Sequence, residues 1–242
     1  MSRSTSRLGI EVLSVFAMPP VPFIGLAAEL GCSHISLGLE PMPDNPHSYP
    51  AWSLRQDATL RKETVAALAD NAISIAFGEG FVFRPGVEVR DMADDFALMA
   101  ELGAKCVNAV GIDPDRARSE DQFGAFADMA AANGLRASIE FMPGLALGTL
   151  AAANTLIDAV GRTNLGVVID CMHLIRSGGS AQELAAFDPV RIAHIQLCDA
   201  PLTADMAQYP QEAKSNRLCP GEGELPLAEI LAALPRDIVV GL

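Results

Sequence analysis

The sequence predicts an α/β fold, a (β/α)8 TIM barrel, from three observations. Short runs rich in Val and Ile alternate with alanine-rich segments of helical period, the pattern of repeated βα units around a parallel sheet. Eight such runs fit into 242 residues, more than an open doubly wound sheet usually carries. The turn after the first run, Phe16-Ala-Met-Pro-Pro-Val21, lacks the glycines with which such a sheet holds a nucleotide.

Taken in order, the first strand is expected over Leu8 to Phe16 and the second over His34 to Glu40, with Gly31 stopping the segment between them. A helix over Arg55 to Asn71 leads to strand three at Ala72 to Phe77. A helix over Val89 to Leu102 stops at Gly103 before strand four, Lys105 to Gly111. Asp121 to Asn133 is a helix stopped by Gly134, and strand five follows at Leu135 to Phe141. Thr149 to Val160 is stopped by Gly161 ahead of strand six, Leu165 to Asp170. Strand seven is read at Ile192 to Leu197, a helix at Leu227 to Leu234, and strand eight at Ile238 to Leu242, with no last helix after it.

Half of the residues are hydrophobic and 19% are charged, enough to bury one large core, so a single domain over 1–242 is expected. A net charge of −13 argues against a phosphate-backbone contact surface and hence against a nucleic-acid partner. Five cysteines, Cys32, Cys106, Cys171, Cys198 and Cys219, form no CxxC pair, which suits reduced thiols in the cytoplasm. The start, Met1 to Arg7, is polar, and no stretch reaches the roughly 18 apolar residues of a membrane span.

Function is read from where the strands end. Ala137-Ser-Ile-Glu140, Gly166-Val-Val-Ile-Asp170 and Ile192-Ala-His-Ile-Gln196 each close an apolar run on an oxygen donor, roughly 25 to 30 residues apart. In a barrel all such ends converge on one face, so Glu140, Asp170, His173 and Gln196 share a site. Two carboxylates, an imidazole and an amide oxygen suit one divalent ion, Mn²⁺, Mg²⁺, Co²⁺ or Zn²⁺. Such a set serves Lewis-acid chemistry on a ketose or polyol-ketone, where a carboxylate removes the proton beside the carbonyl and an enediolate forms.

Together with the loop Arg217-Leu-Cys-Pro-Gly-Glu-Gly223 and the Asp-x-x-His of Asp170 and His173, these motifs make the chain similar to the xylose-isomerase-like barrel superfamily of sugar isomerases, ketose epimerases and dehydratases. The resemblance covers almost the whole chain. It implies that Glu140, Asp170 and Gln196 are metal ligands, that Glu140 is the proton-transfer base, and that His173 and Arg217 contact substrate. Arg176 is read as a further anion contact, with a surface-loop arginine as the plain alternative. Gln196 stands where most relatives carry histidine and resembles some dehydroshikimate-dehydratase-like members, which typically add a histidine at the position of Met142. The fourth family ligand, a glutamate ending strand eight, falls just after Leu242, so the sequence is expected to stop short of it. An uncovered edge there would also allow a homodimer.

An isomerase or epimerase of a sugar, with or without phosphate, is the expected activity. A metal-dependent dehydratase of a cyclic polyhydroxy ketone or ketoacid, such as dehydroshikimate or inosose, is the alternative, and a non-catalytic sugar-binding barrel a third. For single residues, His194 lies deeper and reads as structural, and Asp199 either orients a ligand or caps the next turn. Glu40, Glu79 and Asn108 would face the same rim, while Phe81 and Phe83 either wall the pocket or pack the core.

Overall fold

The computed structural model describes residues 7–242. The polar start was read over Met1 to Arg7, and residues 1–6 lie outside the described part. Eight parallel strands close into a barrel in sequence order, β1 (Leu8–Ile10), β2 (His34–Gly38), β3 (Ser74–Phe83), β4 (Cys106–Gly111), β5 (Arg136–Glu140), β6 (Leu165–Asp170), β7 (Ile192–Gln196) and β8 (Val240–Gly241). β8 pairs with both β7 and β1, so closure is complete within the described residues.

Helices α1 (Pro20–Glu29), α2 (Ala58–Asp70), α3 (Ala93–Glu101), α4 (Arg116–Ala132) and α5 (Leu150–Val160) alternate with the strands; α6 (Cys171–Arg176) and α7 (Ala181–Ala186) follow β6, and α8 (Tyr209–Ser215) and α9 (Leu227–Ala233) follow β7. Asp57, Asp115 and Thr149 cap α2, α4 and α5 by accepting first-turn N–H groups. Gly31, Gly103, Gly134 and Gly161 stop helices at φ of 73°, 81°, 71° and 65°, the left-handed region that glycine enters without strain. No helix among the described residues is long and apolar enough to cross a membrane.

Several element boundaries shift from the sequence reading, and three differences have a clear physical reason. β1 ends at Ile10 rather than Phe16, because the Ser36 hydroxyl takes the Val12 N–H at 2.9 Å and the chain turns into a 3-10 segment. β3 runs on to Phe83, its ladder with β4 restored after an irregularity between Gly78 and Phe81. α1, for which the sequence reading marks only the stop at Gly31, starts at Pro20, a first helical position where the absent N–H costs nothing.

Strand alternation sorts the inward side chains into layers. Glu79, Asn108, Glu140, Asp170 and Gln196 sit at the C-terminal rim, and two residues earlier along their strands come Phe77, Cys106, Ser138, Val168 and His194. His194 stacks on Phe77 at 4.3 Å and 12°, as its structural reading requires. Phe81 and Phe83 pack with Phe96, Phe123 and Phe126, ring centroids 4.9 to 5.4 Å apart, so they belong to the core and do not wall a pocket. Phe126 touches four of these rings and is fully buried. Phe126→Ala is expected to cost about 3–5 kcal/mol in urea unfolding, with ion binding by the folded fraction unchanged.

Candidate active site

Asp170 both ends β6 and caps α6. Its Oδ1 accepts the His173 N–H at 2.9 Å, which satisfies a first-turn donor and fixes where α6 starts. The His173 ring then lies over the barrel mouth, its Nε2 3.7 Å from Glu140 Oε1 and 3.9 Å from Asp170 Oδ2. Its Nδ1 lies 2.6 Å from the Tyr209 hydroxyl of α8, a contact that holds the ring with Nε2 toward the carboxylates. Glu140 Oε2 accepts from Asn108 Nδ2 at 2.6 Å, and the Asn108 carbonyl accepts from Ser138 at 3.2 Å.

The second carboxylate oxygen of Asp170 accepts from the Arg217 guanidinium, which also reaches Cys198 Sγ at 3.0 Å and the Ala213 carbonyl. Arg217 is thus brought into the site as the sequence suggested, but aimed at Asp170. Its loop is fixed by Asp199, whose carboxylate accepts the backbone N–H groups of Ala200 and Gly221 at 2.9 Å and of Leu225 at 3.1 Å. Asp199 therefore caps this turn. Arg176 is committed elsewhere: its guanidinium bonds Glu212 at 2.8 and 3.0 Å and the Pro201 carbonyl at 2.7 and 2.9 Å, in place of an open anion contact. It lies against the Tyr209 ring at 5.7 Å and so supports His173 indirectly.

Burial and charge divide the two carboxylates. Burial and the neighbouring Asp170 charge push Glu140 up to about 7. Burial pushes Asp170 up as well, but Arg217, His173 and the His173 N–H outweigh it and hold that carboxyl below its usual range. Burial draws His173 down to about 4, against the pull of Asp170, so its imidazole is neutral near pH 7 with a lone pair to offer.

Glu140, Asp170 and His173 place one ligand atom each within 4.8 Å of one another. Two hard oxygens and a neutral imidazole nitrogen fit a divalent ion. Gln196 ends β7 beside Asp170 in register. Its amide nitrogen lies 3.4 Å from Glu11 Oε2 and 3.3 Å from Glu79 Oε1, and Asn108 Nδ2 lies 3.4 Å from Glu79 Oε2. Of the three rim candidates, Glu79 and Asn108 join the site. Glu40 accepts from Ser53 at 2.6 Å and borders an adjoining cavity of about 170 Å³, walled by Met18, Phe23, Leu39 and Trp52 and reaching Glu79. Arg55 is the one cation among the residues lining that cavity, and it pairs with Asp95 at 2.7 and 2.8 Å.

Two participants escaped the sequence reading. Glu11 was buried inside an overlong first strand, although an acid directly after the apolar Leu8-Gly-Ile10 has the same form as Glu140 after Ser138-Ile139. Tyr209 offered no signal, since its partner lies 36 residues away on another helix.

Comparison with known proteins agrees with this architecture. The family model for the xylose isomerase-like TIM barrel matches residues 24–239. A 3-dehydroshikimate dehydratase of Pseudomonas aeruginosa is 31% identical over 147 residues, which is 57% of this chain and 22% of that protein. An inosose isomerase of Halalkalibacterium halodurans is 26% identical over 152 residues, 61% of this chain and 47% of that protein. The chain thus spans less than half the length of these two relatives. Among solved structures, the IolI protein with a bound zinc atom superposes with a TM-score of 0.78 at 19% identity, covering 97% of this chain and 87% of its own. The probable 3-DHS dehydratase AsbF from Bacillus anthracis gives 0.79 at 15% identity, covering 98% and 92%.

Proposed function

Because the chain belongs to the xylose isomerase-like TIM barrel family, we propose that it is a divalent-metal-dependent isomerase or epimerase of a polyhydroxy ketone, acting through an enediolate. The observation that carries this reading is the rim cluster itself: Glu140, a strand-end carboxylate, faces His173 Nε2 at 3.7 Å, and one ligand atom each of Glu140, Asp170 and His173 lies within 4.8 Å of the others. Glu140, Asp170 and Gln196 would hold one ion, Mn²⁺, Mg²⁺, Co²⁺ or Zn²⁺, with His173 beside them as a fourth donor or a substrate contact. The zinc of the IolI relative supports an ion here.

When bound, the ion supplies Lewis-acid polarisation of the substrate carbonyl and its neighbouring hydroxyl. Glu140 takes the proton from the carbon beside that carbonyl, and the C–H electron pair moves into the enediolate. Return of that proton by Glu140 to the adjacent carbon, with transfer of a hydroxyl proton between the two oxygens, gives isomerisation, whereas epimerisation needs a second acid on the opposite face of the enediolate. His173, neutral and oriented by Tyr209, hydrogen-bonds a substrate oxygen. Arg217 keeps Asp170 ionised while Glu140 titrates, separating the roles of two close carboxylates. Five free thiols fit a reducing, cytoplasmic setting.

Dehydration of a cyclic ketone or ketoacid is the second reading, favoured by Gln196 and by the 31% identity to the dehydratase. Charge bears on the choice. Arg55, Arg176 and Arg217 are each paired with carboxylates, which supports a neutral polyol-ketone over a substrate bearing a carboxylate or phosphate. The test incubates the protein with an inosose, a ketose or dehydroshikimate in D₂O. Deuterium uptake with an unchanged ultraviolet spectrum supports isomerisation; a growing conjugated chromophore supports dehydration. Elemental analysis after Mn²⁺ or Zn²⁺ loading should find about one equivalent in wild type and none in Asp170→Ala. No ion and no exchange would leave the sugar-binding barrel.

A further inference from the structure

Gln196 meets the rest of the rim through the donor end of its amide. Nε2 lies between Glu11 Oε2 at 3.4 Å and Glu79 Oε1 at 3.3 Å. A side-chain amide has one donor end and one acceptor end, so with both carboxyl groups ionised the reverse orientation would set its oxygen against two acceptors. Glu79 is engaged on its other side as well, where Oε2 faces Asn108 Nδ2 at 3.4 Å and Asn108 also donates to Glu140 at 2.6 Å. Glu11 is likewise engaged. His194 Nε2 lies 2.7 Å from its Oε1, and the imidazole is clamped by stacking on Phe77. The backbone at the end of β8 completes the seat, since a Cβ built on Gly241 would overlap the Glu11 carboxylate.

We propose that Glu11 and Glu79 are positioning residues that lock the Gln196 amide with its oxygen turned away from them and toward the ion site, so that a glutamine, which has only one ligating end, serves as a dependable oxygen donor. This rests on the metal-dependent reading above. An amide free to rotate presents its NH₂ group half the time, and that end cannot bind a cation. Neighbours that fix a ligand's orientation typically contribute 10–100-fold in metal affinity. Asn108 extends the same device to Glu140, so Glu79 orients both amides of the rim with its two oxygens.

The test is a double-mutant cycle read by calorimetric Mn²⁺ titration of the 242-residue protein, with the melting temperature of each variant as a control on folding. Glu79→Gln replaces one oxygen by an NH₂ group, so one of its two amide neighbours loses its acceptor. It should weaken Mn²⁺ binding by about 10–100-fold. In a Gln196→Glu background either end of residue 196 is an oxygen and orientation no longer matters. There Glu79→Gln should weaken Mn²⁺ binding less than it does in the wild-type background, by no more than the loss of its charge explains. An equal loss in both backgrounds overturns the proposal, since it would mean that Glu79 attracts the cation only by its charge. Unchanged affinity in the first background overturns it too. Gly241→Ala, which displaces the Glu11 carboxylate from a distance, should weaken binding in the wild-type background and have no such effect with Gln196→Glu. A wild-type chain that takes up no Mn²⁺ at all would sink the metal reading itself, a result distinct from binding that is indifferent to Glu79.

Discussion

Glu140→Gln is expected to end exchange of the substrate C–H with solvent, a fall of about 10³-fold or more, while the barrel stays folded. Glutamine matches the glutamate in size and can still accept from Asn108, so the rim keeps its shape. What it lacks is a lone pair basic enough to take a proton from carbon. The same change has an opposite effect on stability. Burial and the neighbouring Asp170 charge push the folded-state pKa of Glu140 up to about 7 from its ordinary 4.5, so the native chain binds this proton more tightly than the unfolded chain does. Its contribution is therefore fully favourable below about 4.5 and is lost as pH rises through 7. Metal-free Glu140→Gln escapes that loss, and urea unfolding should find it at least as stable as wild type at pH 8, with the difference closing at pH 5. Exchange at the wild-type rate, followed by deuterium incorporation, would remove Glu140 from its role as base. A large loss of stability at pH 8 would show that the carboxylate holds the fold together rather than straining it.

The residues behind these effects are unequally visible in the sequence. Glu140, Asp170 and Gln196 could be found because a barrel strand alternates inward and outward and ends at the rim, so the last polar residue of an apolar run has a known address. The glycine stops were legible for a similar reason, since Gly31, Gly103, Gly134 and Gly161 answer a local backbone need. Pairings between distant segments were not legible. Arg217 reaches Asp170 across 47 positions, and His194 reaches Glu11 across 183. Nothing local to any of the four residues names its partner. Arg176 shows the limit well: its sequence neighbourhood, before Ser177-Gly-Gly179, suggests an open loop, yet Glu212 on α8 and the Pro201 carbonyl take up its donors. β1 was overextended because Val12 and Val15 are good strand residues, and only the Ser36 hydroxyl on the neighbouring strand reveals that the ladder has ended.

Arg217→Met is expected to destabilise the metal-free protein by about 3–5 kcal/mol at neutral pH, because it leaves the Asp170 carboxylate buried without its counter-charge. Asp170 is almost fully buried, and Arg217 is the largest of the influences that hold its carboxyl below the ordinary range despite that burial. A depressed folded-state pKa contributes stability above the unfolded value, near 3.8, and loses it as pH falls through the folded one. In the variant, burial acts unopposed by the guanidinium, the carboxyl moves upward, and it can relieve its own penalty by taking a proton. The deficit measured by urea unfolding should therefore shrink as pH is lowered from 7 toward 4. A divalent ion offers the other relief. Removing a cation from beside Asp170 deepens the negative potential of the rim, so Mn²⁺ should bind the variant at least as tightly as wild type and restore more of its stability. If Arg217 also meets substrate, the loaded variant will hold its ion yet turn over poorly. A deficit independent of pH and of Mn²⁺ would mean that Arg217 acts through its contacts with Cys198 and the Ala213 carbonyl, as packing for the loop rather than as the counter-charge of Asp170.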